Sequence, residues 1–189
     1  MGRFATIALL LIVVVVTGCG KPGHGAETDS QKGSDAEILN AALGQELTAL
    51  EVYTEGMSRI GPRFTPAARR LRAQEQEYVS AIAKAIRGLG GRATATAVEI
   101  DLGELHNQRD VLTLAYELES AALASDIEAA PRLFSDAPRT LAASLAAGHA
   151  QHLVVIRQGL GAPLSKAFPK AFDGGEVPPP GGETPPRGG

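Results

Sequence analysis

Apolar residues recur every three to four positions in four blocks between Ser34 and Gly161, and glycine or proline separates the blocks. That period puts an apolar stripe on one face of a helix. The first block opens at Ser34 with Glu37 three residues on, a capping-box pattern, and runs to about Arg59 before Gly61-Pro62; its stripe is Leu39, Leu43, Glu46, Leu50, Tyr53 and Met57. The second starts at Thr65-Pro66, with proline in the first turn, and stops at Gly90-Gly91; its stripe is Leu71, Glu75, Tyr78, Ile82, Ile86 or Ala85, and Leu89. A third runs from Glu104 or Asp110 to Ala130 with Leu112, Tyr116, Glu119, Leu123 and Ile127 inward, and Pro131 ends or kinks it. The fourth starts near Ser135-Asp136 and ends between Gly159 and Gly161, with Leu141, Leu145, His149, His152 and Ile156 inward. The Thr- and Val-containing stretch from Gly91 to Leu105 reads as a crossover loop. The pattern predicts an all-α antiparallel four-helix bundle over residues 34–161.

Outside these blocks the pattern changes character. Residues 1–18 carry Arg3, then the run Ala5 to Val16, then Thr17-Gly18 before Cys19. The run is shorter than the roughly 20 residues that a hydrocarbon core requires and has the form of a signal-peptide core. Val16-Thr17-Gly18-Cys19 resembles the lipobox of bacterial lipoproteins. That resemblance implies cleavage before Cys19, acylation of its thiol, and an extracytoplasmic chain held by lipid to a bacterial cell membrane or outer membrane. Residues 19–33 are polar and read as a tether. Residues 162–189 read as an extended to disordered tail, with five prolines and six glycines in the last sixteen positions leaving nothing to build a core from.

The 189 residues are 44% hydrophobic, 21% charged and 4% aromatic, which suits one mid-sized domain with appendages. A net charge of −3 without a basic cluster argues against nucleic-acid binding. A single cysteine excludes an internal disulfide framework and cysteine-rich metal sites.

Each apolar stripe is interrupted near its middle by groups able to bind metal: Glu46, then Glu75 and Tyr78, then Glu119, then His149 and His152. Glu117 competes with Glu119, which has the larger apolar neighbours along its face. A buried carboxylate is costly unless paired or coordinated, so three on inner stripes call for a cation. The halves also look loosely duplicated: Glu46 precedes Glu75 by 29 residues, Glu119 precedes His149 by 30, and each half closes on a similar Ile-Arg phrase.

In these features the chain resembles the ferritin-like superfamily, in particular secreted bacterial ferritin-like domains. The family's di-metal site takes one Glu from each of two helices and a Glu-x-x-His pair from each of the other two. Carried over, the resemblance implies that Glu46 and Glu119 are the single carboxylates, Glu75 the Glu of one pair and His152 the His of the other. Tyr78 stands where the family has His, and His149 where it has Glu. Three carboxylates and two neutral imidazoles give −3, or −4 if Tyr78 ionises. His149 and His152 with Glu119 or Glu46 also form a His₂-carboxylate set for one Zn²⁺, Fe²⁺ or Mn²⁺. Mononuclear, dinuclear and metal-free forms all stay open, the last as an envelope scaffold or interaction module. If active, the protein would be a metal-dependent oxidase or a peroxide- or iron-handling protein.

Overall fold

The structure is a computed structural model in which residues 27–163 are described. The signal segment, Cys19, the first part of the tether and the Pro/Gly tail lie outside the described residues. Four helices make up the fold, α1 (Asp29–Gly56), α2 (Thr65–Gly88), α3 (Gln108–Ala129) and α4 (Asp136–Gly159), with no strand among the described residues.

Helix α1 begins five residues before the expected Ser34. Thr28 accepts a hydrogen bond from the Gln31 backbone N–H at 3.2 Å, and the Gln31 side chain accepts from the Thr28 N–H at 2.8 Å. This capping box lies upstream of the Ser34/Glu37 pair, so residues 29–33 of the expected tether are helical. Asp35 becomes an interior, fully buried residue whose carboxylate accepts from the backbone N–H groups of Phe134 (2.9 Å) and Ser135 (2.8 Å). It thereby serves the start of α4 from another helix.

The two Ile-Arg phrases end their helices identically. Gly90 (φ 79°) and Gly161 (φ 96°) adopt the left-handed conformation that favours glycine. Gly91 then donates to the Ile86 carbonyl and Ala162 to the Arg157 carbonyl, the bond that closes a Schellman motif.

Helix α1 packs on α2 and on α3, and α4 packs on α3 and on α2. The long connection runs back along α1. Asn40 accepts from the Thr94 and Ala95 N–H groups and donates to the Arg92 carbonyl, Thr48 accepts from Val98 N–H, and Arg59 reaches the Leu102 carbonyl. The start of α3 is thereby delivered to the end of α1, where Gly56 lies against Val111. The order is up-down-down-up, the arrangement that one long crossover permits.

Two apolar clusters fill the bundle, one around Leu39, Leu43, Ile82, Ile86 and Leu145, the other around Leu71, Leu112, Tyr116, Leu153 and Ile156. On α3 the inward line runs through Leu112, Tyr116, Glu119, Ala122 and Asp126, not through Leu123 to Ile127. Ile127 is 60% exposed. At about 100° per residue, position 126 lies only about 20° from the direction of Glu119, whereas position 127 lies about 80° away. Leu50, Met57, Leu89, Leu123 and Leu141 are likewise only half-buried at the edges of their stripes.

Candidate metal centre

Between the two apolar clusters the inner stripes bring Glu46 from α1, Glu75 from α2, Glu119 from α3, and His149 and His152 from α4 into one buried layer, each at most 1% exposed. Glu117 faces solvent, so Glu119 is the inward residue. Donor atoms of Glu75, Glu119, His149 and His152 lie within 4.8 Å of one another. Glu46 falls in a second group that shares His149 and includes Asp126, a residue the apolar pattern passes over.

Hydrogen bonds are distributed unevenly. Glu119 accepts from Tyr53 Oη at 2.8 Å and contacts His149 Nδ1 at 2.8 Å and His152 Nδ1 at 3.0 Å. Glu46 Oε1 lies 3.1 Å from His149 Nε2. Asp126 Oδ2 is 3.4 Å from the same nitrogen but is not hydrogen-bonded to it. A single N–H there serves Glu46. Glu75 Oε1 approaches His152 Nδ1 at 2.9 Å, yet that nitrogen's bond goes to Glu119. Both Glu75 oxygens, Glu46 Oε2 and Asp126 Oδ2 are therefore buried without a hydrogen-bond partner among the described residues. His152 Nε2 meets Gln74 Oε1 at 3.2 Å. An amide oxygen only accepts, so Nε2 carries a proton; Nδ1 then meets the carboxylates as a second donor when the ring is an imidazolium, and as a free lone pair able to bind metal when the ring is neutral.

Burial drives the protonation of the layer in opposite directions. Desolvation, reinforced by the charge of Glu119 and by Glu46, pushes Glu75 up to about 12. Burial would also raise Glu119, but the hydrogen bonds from His149 and His152 outweigh it and hold the carboxyl down at about 2. For His149, burial opposes the charge, yet the carboxylates of Asp126, Glu119 and Glu46 around the ring push the imidazole up to about 12. Asp126 is raised by burial, with His149 pulling against it. Tyr53 is raised well above its ordinary value by burial and the surrounding carboxylates.

Tyr78 packs against both histidines. Its ring centroid is 5.6 Å from each imidazole, near-parallel to His152 (19°) and edge-on to His149 (74°). Gly148 makes room for it, because a Cβ there would collide with the Tyr78 hydroxyl. Its phenol is raised by burial, away from the ionised form that the −4 count requires. Asp126 supplies that charge instead: four carboxylates with two neutral imidazoles total −4.

The donor set fits a metal ion on two grounds. Nitrogen and carboxylate oxygen bind Zn²⁺, Fe²⁺ and Mn²⁺. Neighbouring donors about 2.0–2.2 Å from one ion stand roughly 2.9–3.5 Å apart, close to the 2.8–3.4 Å found among these atoms. Hydrogen bonds span similar distances, so the donorless oxygens decide the point.

Comparison with known proteins agrees with the topology. A Bacillus anthracis protein described as ferritin-like, diiron-carboxylate has a similar structure, with TM-score 0.59, 18% identity, and coverage of 68% of this chain and 96% of that one. A conserved hypothetical protein of Mycobacterium tuberculosis gives TM-score 0.63 and 19% identity, covering 73% and 99%. No curated protein matches. Residues 34–162 match the ferritin-like domain family, so the match takes in α1 from Ser34 onward, the whole of α2, α3 and α4, and every residue of the buried Glu/His layer. With its up-down-down-up topology and that match over more than half its length, the chain belongs to the ferritin-like domain family.

Proposed function

We propose that this is an exported lipoprotein whose ferritin-like bundle binds iron, manganese or zinc through Glu75, Glu119, His149 and His152, with Glu46 beside them. The observation that carries the reading is the set of buried carboxylate oxygens in the layer that lack a hydrogen-bond partner among the described residues. An uncompensated buried charge costs several kcal/mol, and a cation bound in the Glu75 group removes that cost for the oxygens within its reach. The neighbour described as a diiron-carboxylate protein supports iron among the candidates.

When bound, iron or manganese would supply redox chemistry and zinc Lewis acidity. The chain's own part is positional. Gln74 fixes the His152 tautomer, Tyr53 orients Glu119, and the apolar clusters on either side keep water from the layer. Acylated Cys19 would tether the bundle to the membrane through residues 20–28.

A metal-free envelope scaffold is the second reading. It is favoured by one observation: protons on Glu75 and His149 can partly neutralise the layer. Metal analysis of the purified full-length chain separates the two, wild type against His149→Ala/His152→Ala. Bound metal in the wild type that the double variant lacks supports the metal reading; equal, near-zero metal in both leaves the scaffold. For the anchor, Cys19→Ala should move the chain from the membrane fraction to the soluble fraction; retention in the membrane overturns lipidation.

A further inference from the structure

We infer that the layer contains a second cation subsite, built from Glu46, Asp126 and Nε2 of His149, on the opposite edge of the His149 ring from the Glu75/Glu119/His152 group. The inference rests on the metal-binding reading and extends it to a residue, Asp126, that lies outside the Glu and Glu-x-x-His pattern.

His149 is placed between two sets of acceptors. Its Nδ1 faces Glu119 Oε2 at 2.8 Å, and its Nε2 faces Glu46 Oε1 at 3.1 Å and Asp126 Oδ2 at 3.4 Å. Donor atoms of Glu46, Asp126 and His149 come within 4.8 Å of one another, and all three residues are buried. Two oxygens in this corner have no partner among the described residues: Glu46 Oε2, on a residue 1% exposed, and Asp126 Oδ2, on a residue 3% exposed. One imidazole N–H cannot satisfy two carboxylates. A divalent cation on Nε2 can, because it accepts several oxygen donors at once; the neutral ring then keeps its proton on Nδ1 for Glu119, which leaves Glu75, Glu119 and His152 to hold the first ion.

Position in the helix supports the same assignment. Asp126 follows Glu119 by seven residues, two turns on the same face, so α3 presents one carboxylate to each edge of the His149 ring. The chemistry suits a divalent ion with mixed nitrogen and oxygen ligands, Zn²⁺, Mn²⁺ or Fe²⁺. Asp126 thus supplies the fourth carboxylate that His149 displaces from α4.

Zn²⁺ stoichiometry by calorimetry and elemental analysis tests the subsite on the full-length chain and on Asp126→Asn, which keeps size and removes charge. Two ions per wild-type chain and one per variant chain are expected. Two in both overturns the role of Asp126. One in the wild type overturns the second subsite but leaves the first, and none overturns the metal reading itself. If Asp126→Asn does not fold, anomalous scattering at the zinc edge from wild-type crystals decides: a peak within coordination distance of Asp126 Oδ2 supports the subsite, and no peak there overturns it.

Discussion

The apolar clusters and the polar layer between them are equally buried but obey different energetics. Ile82, Ile86 and Leu112 are 0% exposed, and so is Glu75, with Glu46 and Glu119 at 1%. Burying each large apolar side chain contributes roughly 1.5–3 kcal/mol whatever the solution contains. The polar layer has no such fixed value. Its carboxylates stabilise the fold only when protons or cations neutralise them, so its contribution is set by pH and metal. A bundle this small carries that conditional layer because apolar packing on both sides holds the helices in place.

The sharpest test of this contrast is Glu119→Leu. Glu119 gathers contacts from Tyr53, His149 and His152, and its loss leaves a buried imidazolium with only Glu46 and Asp126. Breaking a buried pair from one side costs about 3–5 kcal/mol. Urea denaturation with chelator present should show a loss of that size, and a loss under 1 kcal/mol would mean that His149 is not held as a cation. Ile82→Ala, in the apolar cluster, should cost about 2–5 kcal/mol and cost the same with or without Zn²⁺. A metal-dependent cost there would erase the distinction between the regions.

Glu75→Met should move stability the other way. Glu75 has no hydrogen-bond donor among the described residues, and burial with neighbouring carboxylates forces it to keep its proton. Replacing such a group by an apolar side chain of similar volume is neutral or stabilising by about 1–4 kcal/mol. Without metal the variant should melt at or above the wild-type temperature; with Zn²⁺ it should fall behind. A variant less stable than wild type in chelator would show that Glu75 is satisfied in a way its geometry does not suggest.

The same contrast explains what was legible in the sequence. Glu46, Glu75, Glu119, His149 and His152 could be read because each interrupts a run of apolar residues at helical spacing, and the helices bring all five into one layer. Asp126 could not, because Ile127 beside it is the residue that hydrophobicity selects, while the helix turns Asp126 inward and leaves Ile127 in solvent. The one sequence signal of Asp126 is the i,i+7 spacing from Glu119, which returns a carboxylate to the same helix face. Asp35 was illegible for another reason: its partners, the N–H groups of Phe134 and Ser135, are about a hundred residues away, and no local pattern encodes them. The start of α1 is ambiguous in the sequence because two capping signals, at Thr28 and Ser34, lie six residues apart and local chemistry does not rank them.

Acidity offers a milder perturbation. Without metal, Glu119 is depressed, so its contribution is full above its unfolded value near 4.5 and is lost as pH falls toward 2. His149 is raised from 6.5 to about 12, so its contribution is full below 6.5 and is lost as pH rises through that range. Glu75 is raised from 4.5 to about 12, and stability falls over that window as the unfolded chain ionises where the folded one cannot. The metal-free bundle should therefore be most stable near pH 4.5 and weaken toward pH 9. Metal takes the place of those protons, so the difference in Tm between Zn²⁺ and chelator should widen from pH 5 to pH 9. A constant difference would show that the layer does not exchange protons for cations.

Gly148→Ala tests the seam where the polar layer meets the surface. In a helix interior, alanine is favoured over glycine by roughly 0.5–1 kcal/mol, so on backbone grounds the substitution should stabilise α4. The new Cβ would, however, occupy the space of the Tyr78 hydroxyl and drive the ring off the two imidazoles. Overpacking of this kind costs about 1–3 kcal/mol, enough to reverse the sign and leave a net loss of about 1 kcal/mol. In a Tyr78→Ala background the collision is gone and only the helix preference remains, so the same substitution should stabilise that variant. Thermal melts of the four proteins read this reversal directly. Stabilisation by Gly148→Ala in both backgrounds would mean that Tyr78 swings aside without cost and does not cap the histidines.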